Sequence, residues 1–133
     1  MPEVTMFRFA LCWSILFLAI SCRSDAPPAD CPTHKMSFNQ STSCLNDGFV
    51  EFCLPADDPG ALAAVHNITP EIRCRTGRGR ARCDLQTDLL CMFPTSGEQC
   101  DRRHGSLHPE PWQELCTIAA METVQTIVPT WYE

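Results

Sequence analysis

Asn46-Asp47-Gly48-Phe49-Val50-Glu51-Phe52-Cys53-Leu54, followed by Asp57-Asp58-Pro59 and closed by Thr69-Pro70-Glu71-Ile72-Arg73-Cys74, decides the fold class. Asn-Asp-Gly is a turn signal, and residues 49–54 after it are aromatic and β-branched with partial alternation, the pattern of a strand. Asp57-Asp58-Pro59 then starts a helix: an Asp side chain accepts from an orphan backbone N–H, and Pro at the first helical position forfeits no hydrogen bond. Leu62, Val65 and Ile68 sit at three-residue steps and share one side of that helix. Thr69-Pro70 ends it, because the residue before Pro is pushed out of the α region, and residues 71–74 extend as a second strand. The order β–α–β predicts a small α+β domain with short strands and one or two short helices.

Further along, Arg80-Ala81-Arg82-Cys83 and Asp88-Leu89-Leu90-Cys91-Met92-Phe93 flank the short connection 84–87 and read as a β-hairpin. Gly105, Pro109 and Pro111 make residues 101–111 irregular. Residues 112–128 read as strand then helix, or as a single helix. The first is favoured by an echo: Glu51-Phe52-Cys53 matches Glu114-Leu115-Cys116, and Val65-x-x-Ile68-x-Pro70 matches Val124-x-x-Ile127-x-Pro129. The echo suggests an internal duplication, with Thr130-Trp131-Tyr132 as a last strand.

The chain of 133 residues suits one domain, and it carries ten cysteines. Cys12 falls in an apolar N-terminal run and Cys22 at its end. Cys31, Cys44, Cys53, Cys74, Cys83, Cys91, Cys100 and Cys116 remain, an even set that reads as four disulfides in an exported protein. Their pairing stays open at this stage. No C-x2-C or C-x4-C spacing occurs, which argues against structural zinc and a thioredoxin-like centre. Covalent crosslinks, rather than a large apolar interior, are expected to hold the domain.

Residues 9–20 form an apolar run with Ser14 as its one polar residue, too short to span a bilayer and of the length of a secretory signal core. Arg8 precedes it, with Glu3 cancelling that charge; initiation at Met6 gives a cleaner signal. Ala19-Ile20-Ser21-Cys22 resembles the lipobox of bacterial lipoprotein signal peptides. That resemblance implies a diacylglyceryl group on Cys22 and cleavage before it, and the chain as a whole resembles small Cys-rich lipoproteins of high-GC Gram-negative bacteria. The organisation expected is a signal peptide over 1–21, a lipidated Cys22 with a polar, Pro-rich tether over 22–43, and a disulfide-stapled domain over 44–133. An ordinary signal cut near Ser21 is the alternative. Nine Arg against the single Lys35 favour a bacterial origin, whereas the sequons at Asn39 and Asn67 keep a eukaryotic secreted origin open.

The formal net charge of −6 argues against bulk nucleic-acid binding. Within that acidic chain Arg73, Arg75, Arg78, Arg80 and Arg82 are concentrated, and on a strand Arg78, Arg80 and Arg82 project to one face. They are candidates for an anion site, or for the solvated face of an edge strand. His104 and His108 are four apart, but Gly105 and Pro109 disfavour a ligand-bearing helix and the Glu of H-E-x-x-H is missing, so loop histidines are expected. Asp57 and Asp58 read as capping residues rather than as acid–base or calcium partners of Glu51. Trp112, Trp131 and Tyr132 read as core plugs. No nucleophile, phosphate-loop or dinucleotide motif occurs. The expectation is therefore a non-enzymatic, cofactor-free, membrane-anchored lipoprotein with a structural or recognition role at the bacterial envelope, toward an anionic glycan or an envelope protein. The alternative is a secreted proteinase inhibitor or similar compact effector, with segment 75–80 as trypsin-like bait.

Overall fold

The computed structural model describes residues 30–131. The signal segment expected over 1–21, the lipidation candidate Cys22 and Tyr132 lie outside the described residues.

The fold is α+β: four strands form one antiparallel sheet, two helices cover one face, and four disulfides cross-link the whole. Strand β1 is Phe49–Pro55, helix α1 Pro59–Ile68, β2 Arg73–Arg75, β3 Asp88–Pro94, α2 Pro109–Ala119 and β4 Ile127–Pro129. The sheet order is β2-β3-β1-β4, so β3 is inserted between the two strands of the β1-α1-β2 unit, a split β–α–β arrangement. The expected strand–helix–strand order over 49–74 is what forms, with the second strand at Arg73–Arg75 rather than 71–74. Asp58 caps α1 by accepting from the Ala61 N–H at 2.9 Å, with Pro59 in the first turn. At the other end Thr69 leaves the helix and its hydroxyl donates to Glu114 Oε2 at 2.7 Å, tying α1 to α2.

Side chains alternate across the sheet, and this sorts the core. Val50, Phe52 and Leu54 of β1 share a face with Cys91 and Phe93 of β3 and Ile127 of β4, and all six are almost fully buried against the helices. Helix α2 turns Trp112, Leu115, Cys116 and Ala119 toward them, the spacing of one helical stripe. The interior is thus a continuous apolar cluster reinforced by disulfides, more than the crosslinks alone that the composition suggested.

Several sequence expectations are corrected. Residues 80–83 form turns rather than a strand, and β3 pairs instead with β1 over seven register positions and with β2 over three. The internal duplication is absent: Glu51-Phe52-Cys53 lies on a strand, whereas Glu114-Leu115-Cys116 lies on a helix. Neither reading of 112–128 holds, because α2 starts at Pro109 and ends at Ala119. Pro109 and Pro111 fit there because the first helical turn has no intrahelical use for their missing N–H groups. The last strand is Ile127–Pro129 rather than 130–132.

Residues 31–43, expected to be tether, belong to the body. Cys31 is bonded to Cys116 on α2, and Met36 is in the core. Lys35 Nζ donates to the carbonyls of Ala119 and Met121 at 2.8 and 3.0 Å, satisfying acceptors freed at the end of α2. The Ser37 N–H reaches the Ile127 carbonyl on β4.

Candidate functional site

The sheet's second face carries the feature of most interest. Register places Glu51 and Cys53 of β1, Leu90 and Met92 of β3, and Arg73 and Arg75 of β2 on the side away from the helices. The connection 76–87 folds back across this side. Leu90 is 4% exposed and Cys83 1%, yet neither belongs to the main apolar cluster, so they form a separate thin layer beneath the loop.

Four constraints hold the loop in place. The Cys74–Cys91 bridge joins directly opposed residues of β2 and β3 at its start. Cys53–Cys83 fastens its middle to β1. The Cys83 N–H closes a turn onto the Arg78 carbonyl at 2.8 Å. Glu51, 6% exposed, accepts from the Arg80 N–H at 2.6 Å and the Ala81 N–H at 3.4 Å through Oε2. Successive backbone amides curled around a carboxylate form an anion nest, here filled by the protein's own side chain. Gly79 is required at the crossing: its φ is +57°, and a Cβ would lie 2.5 Å from Glu51 Oε2 and 2.7 Å from Leu90 Cδ1. Glycine alone tolerates both the left-handed backbone and that approach.

Arg78, Arg80 and Arg82 therefore do not alternate along a strand, and the strand-face argument for an anion site is corrected. They are carried on the compact turn, with Arg82 at φ 60°. All three are exposed, as are Arg73 and Arg75 on the adjoining edge strand. Arg80 Nε donates to the Trp131 carbonyl at 2.8 Å. Five of the eight cationic side chains among the described residues fall within 73–82, a segment without an acidic residue. The sequence showed these arginines; the role of Glu51 as the loop's internal anion was not visible, since its partners lie 29 and 30 residues away.

A groove of about 650 Å³ opens at the end of the sheet, lined by segments 46–49, 95–97 and 100–104 over the Cys44–Cys100 bridge. Buried Asn46 spans its floor, accepting from Thr95 Oγ1 and the Gly48 N–H and donating to the Ser43 carbonyl. Asp101 accepts the Ser106 N–H at 2.9 Å. That hydrogen bond, aided by the Arg102 amide and charge, holds the Asp101 carboxyl below the usual carboxylate range. His104 and His108 are exposed loop residues here. With polar groups already engaged and charges of both signs, the groove is a recess rather than a set of converging reactive groups.

Among the described residues no cluster of His, Cys, Asp and Glu has metal-binding geometry, and no helix is long and apolar enough to cross a membrane. Asp58 caps α1 and Glu51 serves the loop, so these carboxylates are placed in separate tasks. No protein-family model, curated protein or solved structure matches the chain.

Proposed function

We propose that this exported protein is anchored to a membrane through Cys22 and acts there by recognition, with the arginine loop as its contact surface. The observation that supports this reading is the bracing of the loop. Two disulfides and a buried carboxylate fix a short segment on which the Arg78, Arg80 and Arg82 side chains are exposed. Fixing a loop before contact lowers the ordering cost of binding. Four disulfides belong to an oxidising compartment, consistent with export.

Intact mass spectrometry of the mature protein, with and without reduction and alkylation, tests the anchor. The expected result is acylated Cys22 as the first residue and eight thiols released by reductant. An unmodified N-terminus beyond residue 22 removes the anchor.

A second reading, proteinase inhibition, is favoured by the same pair of flanking bridges, since inhibitor loops are commonly stapled. Against it, the Arg80 amide is spent on Glu51 and its guanidinium on Trp131, so a protease must first pry the turn open. Absence of inhibition of trypsin-like proteases at micromolar protein eliminates it.

A further inference from the structure

We infer that the arginine loop seats on the headgroups of an acidic bilayer, with Leu85 and Trp131 entering the interface on either side of it. The inference names the ligand of the contact surface already proposed, so it rests on that reading of the loop. It does not require acylation of Cys22.

Charge is the first part of the argument. Arg73 and Arg75 lie on the sheet face that the loop crosses, and Arg78, Arg80 and Arg82 are exposed on the loop itself. Protecting an open edge from strand pairing accounts for the two arginines of β2 but not for the three on the loop. Among the described residues, Arg73, Arg75, Arg78 and Arg82 make no side-chain hydrogen bond or ion pair. Guanidinium forks match phosphate oxygens. The backbone nest is already filled by Glu51, which leaves the arginine side chains to make contact. A net charge of −6 does not prevent this, because screening at physiological salt confines each charge to about 8 Å.

Apolar groups select the bilayer among anionic partners. Three large apolar side chains stand exposed among the described residues, Leu45, Leu85 and Trp131, and two of them adjoin the arginines. Leu85, 50% exposed, belongs to the same connection as Arg78, Arg80 and Arg82. Trp131, 40% exposed, follows β4, and its carbonyl accepts from Arg80 Nε. The two flank the loop at opposite ends of β1. The turn holding Leu85 leads into Asp88, which pairs with Pro55, whereas Trp131 follows Pro129, which pairs with Val50. The rise of a strand from Val50 to Pro55 sets these ends about 17 Å apart. A soluble acidic polymer offers no apolar layer to Leu85. A bilayer offers phosphates at its surface and hydrocarbon beneath, and tryptophan and long basic side chains are suited to that boundary. The entering chain reaches the same edge, since Met36 bridges Ile127 of β4 and Trp131 lies just past that strand.

The test uses the full chain with Cys22→Ser, which removes the acylation site, and vesicles of phosphatidylcholine alone or mixed equally with phosphatidylglycerol. The readout is partition into acidic relative to neutral vesicles, in which any contribution of the apolar run 9–20 is common to both. A preference for acidic vesicles that falls with added salt is expected. Arg78→Gln with Arg82→Gln should weaken acidic-vesicle binding about thirtyfold, and Leu85→Ala with Trp131→Ala about tenfold. All four side chains are exposed, and an unchanged circular dichroism spectrum checks that each pair folds. A heparin column supplies an acidic polymer without an apolar layer, and retention on it should be unaffected by the Leu85 and Trp131 pair. Equal partition into both vesicles overturns the inference. Salt-sensitive heparin retention without acidic-vesicle preference overturns it in favour of an acidic polymer and leaves the recognition reading standing. Binding to neither removes both. Acidic-vesicle binding unchanged by the Leu85 and Trp131 pair also overturns it, since charge alone then suffices. Mass spectrometry of the wild-type chain is read separately: an unacylated Cys22 removes the anchor and leaves the inference standing.

Discussion

Replacing each disulfide in turn by a pair of alanines should reveal four nearly equal contributions to stability, although the bridged residues are separated by anything from 17 to 85 positions. Loop-closure entropy for an isolated bridge grows with the closed loop, giving about 4.6 kcal/mol for Cys31–Cys116 and about 3.1 kcal/mol for Cys74–Cys91. The bridges interlock, however. With Cys44–Cys100 intact, residues 31 and 116 are already joined by a shorter path through that bridge, roughly 29 residues in all, which lowers the contribution of Cys31–Cys116 to about 3.6 kcal/mol. The same reasoning gives paths of roughly 26 residues for Cys44–Cys100 and Cys53–Cys83, or about 3.5 kcal/mol each. Cys74–Cys91 has no shorter detour and keeps its value. The cavity left by lost sulfur is similar across the set, since every bridge has at least one member buried. Equilibrium denaturation of the four oxidised variants measures these costs directly. If loss of Cys31–Cys116 exceeds loss of Cys74–Cys91 by about 1.5 kcal/mol or more, the interlocked accounting is wrong.

Three further outcomes are expected. Glu51→Ala strands the Arg80 and Ala81 amides under the loop and should cost about 2–3 kcal/mol, with hydrogen exchange accelerating at those two amides ahead of the β1 and β3 amides. Asp58→Ala removes the α1 cap and should cost about 1 kcal/mol in denaturant midpoint experiments. Asp101 has a folded pKa below its unfolded value, so its contribution is present above the unfolded pKa and is lost as pH falls through the folded one. NMR titration should accordingly find its midpoint below that of an ordinary aspartate, and Asp101→Asn should abolish acid loosening of the Ser106 amide.

The β1-α1-β2 unit was legible because its signals are local: Asp58-Pro59 opens the helix, Thr69-Pro70 closes it, and Val50, Phe52 and Leu54 alternate inward. The even set of eight cysteines likewise announced four bridges, though their pairing depends on contacts as remote as Cys31 with Cys116. Errors arose where a distant partner overrode a local pattern. Arg80-Ala81-Arg82-Cys83 looks extended, yet the Glu51 carboxylate and the Cys53 bridge draw it into turns across the sheet. Pro109 and Pro111 suggested irregular chain, but both fall in the first turn of a helix, where proline is harmless. The polar stretch 31–43 looked like a linker because its anchors are a disulfide, one methionine and one lysine rather than a hydrophobic period. The arginines of the candidate site were plain in the sequence. Their common side was not, since it depends on pairing β2 with β3 and on Gly79 letting the loop lie flat.

The Cys31–Cys116 bond also sets how this protein withstands a protease. It closes a ring that contains every residue between those two positions, including the exposed arginines on which trypsin-like enzymes act. A single clip anywhere in that ring leaves both pieces covalently joined, and whatever precedes residue 30 stays attached to both. Separating the two pieces therefore takes a reductant, so a nicked molecule keeps its mass plus one water under non-reducing conditions and comes apart only after thiol treatment.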